Sequence, residues 1–600
     1  MAFPWQQKIY RYLKHYTLRA IRWVSRHISN RNYQILVSII IGIVSGLVAV
    51  GLKFLVALVK GWIQGQDPTR ERLVFVFLPL VGVILTIGFT RLILRRPLAP
   101  GLSELINSIS NKKVNIPNYE TYAHVVTSSL TVGFGGSVGL EAPIIRTGSA
   151  VGANLARILQ VGRKKQTLFL ACGAAAGMAA IFNSPVAGVI FAFEVLLTEM
   201  ALHSFIPLLI SAATGAVVAR LLYFEQLFFL PTRNWAPEAI PFYLLLGAIC
   251  GLLSVLMIRS NISINAYFER MKNPFLKIGL GGLAIGLLIF LMPPLFGEGY
   301  GTVNNLLADK PEALVDHSPF YWLADNTGFL IAFSLFVLLA KILASSITIA
   351  IGGNGGVFAP SMFLGATLGF AFSHTLNLLG IIHLQEANFI AVAMAGLLSG
   401  VFKSPLTGIF FIAELTGGYG LFVPLMLVSA MSYLVSLYFE PYSIFTRELF
   451  NKGLWVPSHE RDLSILKTMN VASLIEVNFY AVRPEMSLGQ FVRVIAKSRR
   501  NVFPVIDGDG YLKGIVLLDD VREIMFDPQK HDEIFIKDVM HNPPAILDIK
   551  DPMDKVMKLF DYHNAWNLPV VDKGRYLGFV SKSSVFNRYR ELLIERSRDV

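Results

Sequence analysis

Three stretches of this sequence, Ile35–Leu52, Leu73–Thr90 and Leu421–Phe439, carry no charged residue. Each is about as long as a helix needs to cross the hydrocarbon of a bilayer. Lipid leaves no water to pair with backbone N–H and C=O groups, so such runs must satisfy themselves as helices. The whole chain agrees: 54% of its 600 residues are hydrophobic and only 16% charged, where a soluble protein carries roughly 25%. The sequence describes a multi-pass membrane protein. Cys172 and Cys250 both lie in apolar runs without metal-ligand spacing and read as small buried packing residues.

The net charge of +13 is unevenly placed. Residues 1–33 hold Lys8, Arg11, Lys14, Arg19, Arg22, Arg26 and Arg31 without an acid, interleaved with Trp5, Tyr10, Leu13, Trp23 and Val24. This predicts an amphipathic helix on the cytoplasmic membrane face. A nucleic-acid arm is the competing reading, and a membrane core next to it favours lipid; no nucleic-acid partner is expected. The leader lacks an early small-residue cleavage site, so no removable signal peptide is expected.

Apolar character extends from about 34 to 440, and mixed, short alternating runs take over from about 456. Within the apolar part many segments are interrupted. Residues 166–193 are uncharged but place Asn183-Ser184-Pro185 after an alanine-rich stretch. Such breaks survive in a membrane only where they are buried in protein or line a wet cavity.

These breaks repeat. GGSVGLEAP (135–143) and GGNGGVFAP (352–360) stand in register, as do IFNSPVAGVIFAFE (181–194) and VFKSPLTGIFFIAE (401–414). Their order is the same in both halves, which points to an internal duplication. Paired Gly/Pro-broken segments mark the binding site of many transporters.

The turns have a physical use. A helix beginning inside the membrane presents unpaired N–H groups of partial positive charge, a ready anion site. Glycine lets the backbone approach an ion closely, and a proline in the first turn loses no needed N–H. Glu141 stands in one turn and Phe358 in the other. A carboxylate there would occupy the anion's place and open the path when protonated or displaced; the alternative is an ordinary buried hydrogen bond. Phe358 is either a wall of the same site or packing.

Gly139-Leu140-Glu141-Ala142-Pro143 and Gly356-Val357-Phe358-Ala359-Pro360 resemble the GxExP and GxFxP signatures of the CLC chloride channels and chloride/proton antiporters. The Ser-Pro segments at 184–185 and 404–405, and Tyr442 in EPYSIFTREL, are similar to that family too. The resemblance covers about 35–450. It implies an all-α transmembrane domain built of inverted repeats, a homodimer with one pore per subunit, small anions as cargo with chloride the bound ion, and a gate at Glu141. It implies anion contacts from the N–H groups of Val357 and Phe358 and the Tyr442 hydroxyl, with Pro100, Gly101 and Gly139 along the same path.

Two departures bear on mechanism. The family's first anion loop carries a serine where Ala99-Pro100-Gly101 places Pro100, which has neither hydroxyl nor N–H. Proline there goes with nitrate preference in the family, so the cargo is chloride or nitrate; Ser103 would compensate only from a shifted position. Antiporters of the family carry an acid after Glu194, and this chain has Val195. Valine cannot relay a proton, which favours a passive channel, voltage- or pH-gated. Coupled antiport remains the alternative, through Glu194, Glu199 or water.

NVFPVIDGDGYLKGIVLLDDV (501–521) is answered by WNLPVVDKGRYLGFVSKSSV (566–585), which resembles a tandem pair of CBS domains, an α/β cytoplasmic module. The expected organisation is a basic helix at 1–33, the transport domain at 34–450, a linker at 451–469, and CBS domains at 470–528 and 535–596. Of the family's nucleotide-binding pattern the copies keep Asp520 and Ser581 respectively; an adenine nucleotide or a purely structural collar are the two readings. No cofactor or metal is required. Both termini are expected in the cytoplasm, the chain in a plasma or inner membrane.

Two other classes fit the sequence poorly. A magnesium or other cation carrier needs several acidic ligands in the membrane, and the turns are poor in acids. An intramembrane hydrolase needs a metal pair, nucleophile or second carboxylate beside Glu141, and none accompanies it. The chain is not expected to be an enzyme.

Overall fold

The computed structural model describes residues 29–64, 72–96, 98, 101–110, 116–197, 204–223, 235–454, 466 and 469–598. Nearly all of the basic leader, most of the 451–469 linker, Pro100 and Glu199 lie outside the described residues. The chain divides into two units, Met1–Trp455 and Val456–Val600.

The first unit is helical. Among the described residues, eight helices are long and apolar enough to cross a membrane. They differ in what they face. The first, α1 (Asn30–Gln64), and α2 (Arg72–Gly88) present many bare leucines, isoleucines and phenylalanines. By contrast α6 (Arg163–Phe182) is buried almost throughout, because its face is alanine and glycine and neighbours close onto its backbone. Between them come α3 (Ser103–Ser110), α4 (Glu120–Gly133) and α5 (Glu141–Ile158). A Cβ on Gly148 of α5 would lie 2.1 Å from the Gly173 carbonyl oxygen, and one on Gly173 would lie 1.9 Å from that of Gly148. Small residues permit this backbone contact, which substitutes in lipid for the missing hydrophobic drive.

After α6 the chain passes through Asn183 in the left-handed region (φ 57°) into the short α7 (Pro185–Phe191) and a π-turn at Ala192–Leu196. Then follow α8 (Phe205–Leu222), α9 (Ile240–Glu269), α10 (Pro274–Leu291) and α11 (Tyr300–Leu307). The second half repeats the first: α12 (Thr327–Ala350), α13 (Phe358–Leu378), α14 (Glu386–Phe402), a left-handed Lys403 (φ 57°), α15 (Pro405–Leu415), α16 (Phe422–Phe439) and α17 (Ile444–Asn451). Gly365 and Gly369 on α13 seat α14 by the same backbone contact that Gly148 and Gly152 make on α5.

The halves meet as a local two-fold axis requires. Gly139 and Gly356 form an antiparallel pair, each N–H donating to the other's carbonyl at 2.8 Å. The Glu414 carboxylate accepts from the Val186 and Ala187 N–H groups of α7 at 3.0 and 2.9 Å. Reciprocally, Glu194 accepts from Leu406 and Thr407 of α15 at 3.2 and 2.8 Å.

The second unit holds two similar motifs. In one, α18 (Leu488–Lys497) covers the antiparallel pair β1 (Val502–Ile506) and β2 (Leu512–Leu517). In the other, β3 (Leu547–Asp548) runs parallel to β4 (Asn567–Asp572), which pairs antiparallel with β5 (Arg575–Ser581) beneath the helix Met553–Tyr562. The Tyr511 N–H donating to Asp507 at 2.8 Å helps hold that carboxyl below the usual carboxylate range and closes the β1–β2 turn.

Candidate functional site

Two glycine turns form the centre of the first unit, and they are built alike. Gly135 and Gly352 end α4 and α12 with positive φ (91° and 107°), donating back to Val132 and Ile349 at 3.0 Å. The next glycines donate to Thr131 and Thr348. Those threonines then reach across: the Thr131 hydroxyl accepts the Asn354 N–H at 3.0 Å, and the Thr348 hydroxyl accepts the Ser137 N–H at 3.3 Å. Each half therefore shapes the other's turn.

From these turns start α5 and α13, with Glu141 and Phe358 as their first residues. Neither N-terminus has a side-chain cap, and the prolines at 143 and 360 take the place of a third N–H. Two positive helix ends are thus brought together by the Gly139–Gly356 pair. Glu141 is 1% exposed. Its Oε2 rests over Gly139, where a Cβ would stand 1.9 Å away, and that Cβ would also meet Ala359 of the opposite helix at 2.8 Å. Gly139 is therefore the floor of the carboxylate's seat. The other oxygen, Oε1, accepts a hydrogen bond from the Tyr300 hydroxyl.

Phe358 packs in an aromatic group with Phe182, Phe402 and Phe411, ring centres 5.8, 5.4 and 5.1 Å away. Tyr300 joins it edge-on through Phe182. The aromatic that continues this group from the last helix is Phe445, stacked on Phe402 at 5.2 Å. Tyr442, expected at the anion, instead stacks its ring on Phe450 at 4.4 Å and lies beside Arg447. The turn into α17, capped by Ser443, directs Phe445 rather than Tyr442 toward Phe358.

A cavity of about 1130 Å³ opens against the turns, its floor including Ala142 and Gly355-Gly356-Val357. Among the described residues, six basic ones line it (Arg91, Arg95, Arg96, Lys272, Lys277 and Lys452) against two acids, Glu269 and Glu448. Such a wall raises the local concentration of anions. Gly101 and Ser103 also line it. The Ser103 hydroxyl is already spent on Glu448 at 2.8 Å, and Pro100 lies outside the described residues. The Gly101 carbonyl accepts from Arg146 at 2.8 Å, and Arg146 pairs with the buried Glu120 at 2.8 Å.

Val195 packs half-buried against the apolar core. Its neighbour Glu194 is held by the α15 N-terminus and by the Thr407 hydroxyl at 2.7 Å.

In the second unit Asp520 accepts the Leu517 N–H at 2.7 Å and faces His541 at 3.3 Å. Ser581 donates to Glu476 at 2.5 Å, and Glu476 also holds Arg500 at 2.6 Å. Both positions singled out from the sequence are thus engaged within the chain.

Tyr300, Arg146 and Glu120 escaped the sequence reading. The two threonines did not have to: Ser128-Ser129 and Thr131 stand in the same register to Ser345-Ser346 and Thr348 as the glycines do.

Comparison with known proteins agrees with this architecture. The family described as voltage gated chloride channel matches residues 87–437, more than half the chain, and the CBS domain matches twice, at 471–527 and 536–591. A ClcB-like protein of Ralstonia nicotianae is 29% identical over 331 residues, covering 54% of this chain and 73% of its own. The voltage-gated ClC-type chloride channel ClcB of Escherichia coli is 26% identical over 427 residues, covering 67% and 95%. Among solved structures, a slow cyanobacterial Cl⁻/H⁺ antiporter superposes with a TM-score of 0.60 at 21% identity, covering 71% of this chain and 99% of that one.

Proposed function

The chain belongs to the voltage gated chloride channel family, an anion-transport family of multi-pass membrane proteins, and on that premise we propose that it conducts small anions passively along a path gated by Glu141. The observation that carries this reading is the convergence of two uncapped helix N-termini, those of α5 and α13, at the floor of a basic cavity. Partial positive charges from N–H groups attract a dehydrated anion without a fixed cation that would hold it too long. The carboxylate of Glu141, seated over Gly139 beside these helix ends, excludes an anion by charge and by volume. Moving it away exposes them.

Passive conduction is favoured over exchange because no acid stands after Glu194. Val195 is packed into the core, and the Glu194 carboxylate is occupied by three donors of α15. A proton relay would have to break those bonds. The permeant ion is chloride or nitrate, with Pro100 the residue that biases the choice. A homodimer with one pore per subunit belongs to the same proposal, with the CBS pair a structural collar and an adenine nucleotide at Asp520 and Ser581 the alternative.

The test uses purified protein in liposomes under a chloride gradient, recording anion efflux and external pH together. Channel behaviour predicts chloride running downhill with no uphill proton movement. A chloride gradient that drives protons uphill makes the chain an antiporter and overturns the passive reading while leaving Glu141 in place.

A further inference from the structure

The loop between α10 and α11, Pro293–Gly299, lies directly on the first glycine turn. The Gly297 N–H donates to the Gly135 carbonyl at 3.1 Å, and the Ser137 hydroxyl donates to that of Leu295 at 2.7 Å. The Phe296 ring fills the space a Cβ on Gly135 would need, 2.2 Å away. From α12 the fully buried Lys341 donates to the Gly297 carbonyl at 2.9 Å. Gly299 then turns with φ +90°, and a Cβ on it would meet the Phe363 ring at 2.5 Å. This tethered turn delivers Tyr300, as first residue of α11, to Glu141.

We propose that Tyr300 is the latch of the gate: its hydroxyl holds the Glu141 carboxylate in the seat over Gly139, and the Pro293–Gly299 loop holds that hydroxyl in place. The inference rests on the gating role given to Glu141 above. A hydroxyl donating to a carboxylate makes a charge-assisted bond, stronger than a neutral one, and it acts on the seated form alone. Tyr300 cannot wander, since its ring is buried against Phe182 and its backbone begins a helix. The charged groups around it are Glu298 in the same loop, paired with Lys60 of α1 at 3.1 Å, and Lys341 of α12. Tyr300 is therefore a positioning residue that acts on the gate through Glu141. It also supplies a hydroxyl at the seat in a chain where Pro100 has none and Tyr442 stacks elsewhere.

Tyr300→Phe keeps the ring and deletes the donor. In liposomes, anion efflux at fixed pH should rise roughly tenfold, the equivalent of one charge-assisted hydrogen bond. In a Glu141→Ala background the same substitution should change efflux by less than about twofold, because the latch has nothing left to hold. A Tyr300→Phe effect of equal size in both backgrounds means Tyr300 acts through packing or on the anion path, and overturns the latch. No effect in either background overturns it too. If Glu141→Ala itself leaves efflux and its pH dependence as in the natural chain, the gating role falls rather than the latch alone. Ser137→Ala, which loosens the loop without touching Tyr300, gives a second reading: efflux should rise by about two- to threefold, again only when Glu141 is present.

Discussion

Four helices of the membrane unit begin at a break in its interior pattern, and they use one physical effect in two opposite ways. The N-termini of α7 and α15 are closed by carboxylates from the other half, Glu414 and Glu194, each spanning two backbone N–H groups. Those of α5 and α13 carry no side-chain cap. In the first pair the carboxylate arrives from a distant helix, so leaving would mean parting two halves of the fold. In the second, Glu141 belongs to the helix end it sits beside. Rotation of its own side chain is enough to vacate the seat. The same positive helix end is a staple where its anion is anchored across the repeat and a site where its anion is tethered to itself.

Glu141→Gln breaks the comparison hardest. If titration of this carboxylate moves the gate, efflux follows its protonated fraction, which changes about tenfold per pH unit when fully coupled. The amide cannot titrate and is neutral, like the protonated acid. Efflux should therefore be high and vary by less than about twofold across pH 5–8. A retained steep dependence in liposomes places the titrating group elsewhere. The glycine seat sharpens the point: Gly139→Ala puts a methyl group 1.9 Å from Oε2 and should likewise unseat the carboxylate.

The staples predict the reverse pattern. Glu194→Ala and Glu414→Ala each strip two partly exposed helix N–H groups of their acceptor, at a cost of about 0.5–1.5 kcal/mol per hydrogen bond. Thermal unfolding in detergent should move down by several degrees for each. The pH profile of efflux should stay that of the natural chain, since neither residue gates. Glu194→Gln should fall between, because the amide oxygen still accepts from the Thr407 N–H while its NH₂ meets Leu406. A change in proton coupling without loss of stability would instead make Glu194 a relay.

Much of this pairing was legible in the sequence, and the reason is repetition. The turns at 135–143 and 352–360 recur because each geometry needs the same glycines, and Glu194 and Glu414 recur because each caps the other's helix. The residues that escaped have partners far along the chain and no counterpart in the other half. Tyr300 meets Glu141 from 159 residues away, and Arg146 finds Glu120 on a different helix. Tyr442 was misplaced by its proximity to the right element: it precedes α17, and the ring that reaches the Phe358 group belongs to Phe445, inside that helix. A pattern of letters reports the turn but not which side chain it aims inward.

The second unit contains a fourth carboxylate in an anion's place, Glu476, and it asks to which class it belongs. Glu476 holds the Arg500 guanidinium at 2.6 Å and the Ser581 hydroxyl at 2.5 Å, the kinds of donor a nucleotide's phosphate or ribose would use. Its backbone is fixed by pairing with Phe579, which resembles the staples. Its side chain is partly exposed, unlike the buried Glu141, but exposed ion pairs contribute only about 0–1 kcal/mol, so like Glu141 it leaves its place by rotation of its own side chain. If Glu476 is a removable stand-in, Glu476→Ala frees both donors and removes a like charge. Calorimetric titration of the full chain with ATP should then show affinity raised by a factor of about five to ten, with the thermal transition of this unit lowered by no more than about 1 kcal/mol. If it is a staple, the variant loses stability and gains no affinity, and the CBS pair is a collar rather than a sensor.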